Sequence, residues 1–193
     1  MIFYATKKTI ERYKIKTIDK YDDSVKIIAQ NIIDKETGDG IFEWGMKLFY
    51  FDKRKCIALM NYASKFTLFL VDVKMSELSY ICNYLSGYLL DLYKDDEEMR
   101  NILLPKYLTE STVYIFDSIK DKSMITHLNH IVSNFAFDGY RFYDFIDNGI
   151  LRTLEINKQV NFNFVVTDKI DGKKNYILPG IRFKELLMQR YKN

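Results

Sequence analysis

The chain has 193 residues, enough for one domain with a proper core; with 48% hydrophobic and 28% charged residues, wholesale disorder is excluded. A net charge of +3 is too small to argue for nucleic acid by itself. There is no run of 18 uninterrupted apolar residues and no charged n-region ahead of a long apolar core, so a membrane span and a signal peptide are not expected.

Fifteen Tyr and fourteen Phe against eight Gly and two Pro reflect the codon usage of an AT-rich source more than any chemistry. The charge is uneven. Residues 1–20 hold Lys7, Lys8, Arg12, Lys14, Lys16 and Lys20 against Glu11 and Asp19, and residues 161–193 are also basic, whereas Asp95-Asp-Glu-Glu is acidic. The two cysteines, Cys56 and Cys82, stand far apart in apolar runs and read as small buried hydrophobes in a reduced, cytoplasmic protein.

Ile2 to Ala5 is a short strand, and Thr6 stands at the N-cap of a short helix beginning Lys7-Lys8. Residues 15–40 form a possible insertion. Within it Val25, Ile28 and Ile32 have helical spacing, and the loop signal Thr37-Gly-Asp-Gly follows. From Trp44 to Val71, three aromatic and aliphatic runs separated by polar connections of about four residues predict a three-stranded antiparallel meander. Its middle run, Cys56 to Met60, is apolar without alternation, which makes it a central strand covered on both faces.

Leu78, Ile81, Cys82, Leu85, Leu89 and Leu92 form a helical stripe bordered by Tyr80, Tyr84 and Tyr88. A short helix from Glu97 stops at Pro105, and Thr112 to Phe116 supplies a fourth strand. A second long helix carries Met124, Ile125, Leu128, Ile131, Val132 and Phe135 on one stripe. The aromatic passage 137–149 gives no definite pattern, and Ile150 to Leu154 begins a helix. Alternation from Phe162 to Val166 and the turn signal Asp171-Gly172 predict a C-terminal hairpin, which Pro179-Gly180 ends, with a closing helix from Arg182 to Tyr191 over the last part of 161–193. The sum is a single α+β domain over 1–193, with a mainly antiparallel sheet packed by two long amphipathic helices.

Chemistry is sparse. His127 and His130 share one helix face with Asn134 a turn further on, which would suit a shared metal, but no Glu follows the first His and no third ligand is near in sequence. A solvated face is the expected reading, with no metal and no cofactor. Gly38-Asp-Gly precedes a strand and lacks a Gly-Lys-Ser/Thr ending, so it is a loop and not a phosphate cradle. No Gly-x-Ser-x-Gly elbow exists, and thiols in apolar runs are poor nucleophiles. The best anion-binding set is Lys7 and Lys8 with the turn residues Lys53, Arg54 and Lys55, provided the first strand joins the same sheet.

The opening Phe3-Tyr-Ala-Thr-Lys-Lys8, the Trp44 strand leading to Asp52-Lys-Arg-Lys-Cys56 and Asn61, Ser123 to Asn129, and Tyr176 to Pro179 together resemble an uncharacterised bacterial family known as a domain of unknown function. The resemblance runs over most of the chain in the same order, departing at the longer 15–40 segment and at 137–149. It implies one compact α+β domain and an accessory role in bacteria or their mobile elements, and brings no activity. Two functions follow. The first is a non-enzymatic interaction protein, its partner a macromolecule and a protein more than a nucleic acid, with no membrane. The alternative is a small enzyme on nucleic acid or nucleotide, using Lys7, Arg54 and acids among Asp138, Asp144 and Asp147.

Overall fold

A computed structural model describes residues 1–38, 40–111, 113–170 and 172–191. Asp39 in the predicted loop, Thr112 at the start of the predicted fourth strand and Asp171 in the predicted turn lie outside the described residues. The meander is present as β2 (Glu43–Phe51), β3 (Arg54–Asn61) and β4 (Thr67–Val71). It pairs antiparallel throughout, with Phe49 opposite Cys56 and Ala58 opposite Phe69. The first connection is tighter than the polar run implied. Only Asp52 and Lys53 form the turn, both at positive φ (46° and 64°), as a two-residue hairpin requires, and Arg54 and Lys55 already belong to β3.

The sheet is mixed, which corrects the mainly antiparallel expectation. Its order is β4-β3-β2-β1-β5, where β1 (Ile2–Ala5) runs parallel to both β2 and β5 (Ile115–Ser118). The physical reason lies in the connection. Between β1 and β2 the chain forms α1 (Lys7–Tyr13) and α2 (Asp23–Glu36), a crossover long enough to return it to the same end of the sheet.

Alternation along β2 and β3 sends side chains into two layers. Trp44, Met46, Leu48, Ile57 and Leu59 pack with Ile81, Leu85 and Leu89 of α3 (Ile81–Leu92) and Phe183 and Leu187 of α8 (Pro179–Tyr191). On the other face Cys56, Ala58, Met60 and Phe69 meet Met124, Leu128 and Phe135 of α6 (Lys122–Phe137) and Ile156 and Val160 of α7 (Thr153–Phe162). The middle strand is therefore covered on both faces, as its unbroken apolar run predicts, and Cys56 is fully buried.

Where strand pairing ends, helices complete the meander's hydrogen-bonding ladder at both edges. Where β1 ends, α1 takes over the edge of β2: Thr6 N–H donates to the Met46 carbonyl (3.0 Å), and Leu48 N–H donates to Thr9 Oγ1 (2.8 Å). Thr6 occupies the N-cap position, as its place in the sequence predicts, but its hydroxyl pairs with that of Thr9 (2.7 Å) and caps no helix N–H. At the far edge, Asn161 of α7 accepts from Thr67 N–H (2.7 Å) and donates to the Thr67 carbonyl (2.6 Å). Asn157, one turn earlier, does the same to Phe69 (2.7 and 3.3 Å). Two amides at i, i+4 thus stand in for a sixth strand.

Other expectations change in detail. The backbone after α4 (Glu97–Ile102) does not stop at Pro105 but widens into a π-turn over Leu103–Tyr107 and continues as α5 (Leu108–Glu110), because a wide turn accommodates a residue that has no N–H to donate. Passage 137–149 contains a 3-10 turn (Phe142–Phe145) and the first strand of a miniature hairpin, β6 (Ile146–Asp147) with β7 (Ile150–Leu151), so the helix expected from Ile150 begins only at Thr153. The turn residues Asn148 and Gly149 of that hairpin have φ of 50° and 77°. The segment Phe162 to Val166 begins as helix, and the C-terminal hairpin is β8 (Val166–Ile170) with β9 (Lys173–Ile177). Helix α8 starts at Pro179, a residue suited to the first helical position. The stripe of α2 does not face the core: Ile28 is 60% exposed, and Ala29 is the buried residue of that helix. No helix of the described residues is long and apolar enough to cross a membrane.

Candidate functional site

A groove of about 540 Å³ separates α6 from the β8–β9 hairpin. One wall is a single helical face, made of Ser123, Thr126, His127, His130 and Asn134 above Ile131. The opposite wall is Val165, Val166, Thr167 and Asp168, four consecutive residues leading into and along β8, with Lys174 from β9. Consecutive residues of one strand line a groove when its edge, and not only one of its faces, is open to it. Among the described residues β8 pairs with β9 and with no other strand.

One lining residue, Asp168, is ion-paired. Lys65 lies 3.4 Å from Asp168 and donates to the Tyr62 carbonyl at 2.5 Å, with both charged side chains largely buried. His127 faces this pair. Burial, with Lys65 close by, holds its imidazole below the usual histidine range, so it is neutral at pH 7. His130 is exposed on the same wall. The two histidines do share a face, as their spacing predicts, yet among the described residues no three His, Cys, Asp or Glu side chains gather as a metal site would need.

The basic set predicted around the central hairpin is divided. Lys7 is exposed and 4.0 Å from Glu11, and Arg54 is held by Asp72 at 2.6 Å. Lys53 occupies the turn. Only Lys8 and Lys55 converge: Lys8 Nζ stands 5.4 Å from the ring centre of Tyr50, which pairs across the ladder with Lys55. Sequence reasoning missed Lys47, which donates to Asn129 of α6 and has its pKa lowered by burial and then by Lys8. The signal was available, since a lysine in the interior of an otherwise apolar strand marks a partnered charge.

The acids of the enzymatic alternative are likewise in local use. Asp144 accepts from Arg141 N–H (2.8 Å), Asp147 pairs with Arg152, and Asp138 is exposed at the end of α6. None of them lines the α6–hairpin groove.

A family model described as a domain of unknown function (DUF6933) matches residues 2–181. No curated protein and no solved structure matches the chain.

Proposed function

We propose that this chain, which belongs to the DUF6933 family of domains of unknown function, is a non-enzymatic binding protein that takes an extended segment of a protein partner into the groove between α6 and β8. The observation that carries this reading is the strand edge of β8 facing a helix across an open channel. An extended chain laid there hydrogen-bonds to the edge and sends alternate side chains toward the helix, the arrangement by which sheet edges recruit peptides. From Ser123 to Asn134 the helical wall runs about 16 Å at 1.5 Å per residue, room for about five extended residues. Thr126, His130 and Asn134 offer polar contacts, Ile131 an apolar seat, and Lys174 a cation that favours an acidic side chain in the partner.

Panning a library of displayed linear peptides against the purified protein tests this. The expected outcome is a set of acidic, extended sequences that bind with Kd of about 1 μM. Their affinity should fall at least about tenfold in Thr126→Trp and in His130→Trp, which fill the channel from exposed positions without touching the core. Failure to select any peptide, or selected peptides indifferent to both substitutions, overturns the reading.

A further inference from the structure

Where α1 takes over the edge of β2, lysines from three elements flank that edge, Lys8 and Lys55 on the side of Tyr50 and Lys47 on the side of α6. Lys8 reaches the ring of Tyr50, and Lys55 places its Nζ 5.2 Å from the ring centre of Tyr13. Lys47 emerges on the opposite face of β2, where it donates to Asn129 of α6, and the charge of Lys8 contributes to lowering its pKa. Among the described residues none of Lys8, Lys47 and Lys55 has a carboxylate within ion-pair distance, while the flanking Lys7 and Arg54 each have one. Cations without a carboxylate partner, gathered along one edge, attract an anion carrying several charges. Between them Tyr50 is 54% exposed. A large aromatic face set among lysines suits a base stacked beside its phosphates.

We infer that this edge binds single-stranded nucleic acid, with phosphates on Lys8, Lys47 and Lys55 and a base on Tyr50. The surface is separate from the α6–hairpin groove, since none of these four residues lines it, so either can fail alone. The ammonium of Lys8 shifts from the tyrosine ring to a phosphate as the base arrives. No sequence preference follows, because lysine contacts to phosphate and stacking on tyrosine are both indifferent to base identity.

Fluorescence anisotropy with a labelled single-stranded oligonucleotide, and with its duplex, decides the matter. Three phosphate contacts predict an affinity that falls about 20-fold between about 50 and about 200 mM salt. Lys8→Glu with Lys55→Glu should weaken binding at least about tenfold and flatten that salt dependence, whereas Lys94→Glu, after the end of α3, should leave both unchanged. Tyr50→Ala should weaken the single strand more than the duplex. Thermal melts of each variant establish that it is folded, and Lys8→Glu alone, at an exposed position, serves if the double variant is not. Undetectable binding at low salt, binding unaltered by the charge reversals, or a Tyr50→Ala variant that treats both strands alike overturns the inference.

Discussion

Asn157 and Asn161 hold more of this fold than their residue type announces. Each offers both a donor and an acceptor to one residue of β4, and both are fully buried. Asn161→Leu keeps the volume but strands the N–H and C=O of Thr67 without water, at about 1–3 kcal/mol for each orphaned group. Urea unfolding of Asn161→Leu should show a loss of about 2–4 kcal/mol with the slope unchanged; a loss below about 0.5 kcal/mol would mean that β4 finds other partners. In the sequence these asparagines look like loop or strand-flanking residues, because an amide that imitates a backbone partner leaves no periodic trace.

Titration adds two expectations at the same scale. Burial pushes the Cys56 thiol up to about 12 and the half-buried Cys82 thiol up to about 11, from an ordinary 9.0. Both should resist thiol reagents near pH 8 in the folded protein and react once it is unfolded. Raised folded-state values stabilise the protein fully below pH 9, and that stability is lost as pH rises from 9 toward 12. His127 is shifted the other way, mainly by burial. Its contribution is present above about 6.5 and is lost as pH falls through its folded value, so melting temperatures measured from pH 7.5 to pH 5 should decline less steeply in His127→Gln than in the parent. An equal decline in both would show that His127 does not couple to folding.

Among elements, the docking of α6 on β2 turns on Gly45. A methyl group there would lie 2.8 Å from Met124 Cγ and 3.1 Å from Leu128 Cδ1. Gly45→Ala should therefore push the helix outward and cost about 1–3 kcal/mol, read as a lowered urea midpoint. An unchanged midpoint would mean that Met124 repacks freely. Helices α3 and α6 and the meander were legible because their apolar spacing matches their period, and the unbroken run Cys56–Met60 announced a doubly covered strand. The direction of β1 was not legible from its four residues; the crossover of α1 and α2 decides it. Asn148-Gly149 carried a hairpin signal, but flanking strands of two residues are too short for alternation to show.

At the scale of the molecule, two surfaces carry the functional readings: the groove between α6 and β8, and the lysine edge around Tyr50. The helical half of the groove was visible in the shared face of His127, His130 and Asn134. Its other wall was not, because nothing local to residues 165–174 records where the hairpin lies against α6. Of the basic residues, proximity in sequence wrongly grouped Lys53 and Arg54 with Lys55. Alternation along β3 places Arg54 on the opposite face of the sheet from Lys55, beside Asp72.

Amide hydrogen exchange with and without a selected peptide addresses the groove most directly. Added strand pairing predicts slowed exchange at Val165 to Asp168, together with residues 123–134 of α6, and no change around Tyr50. Peptide binding that leaves the β8 amides exchanging at their free rate would contradict the account, because a segment held there must hydrogen-bond to that edge.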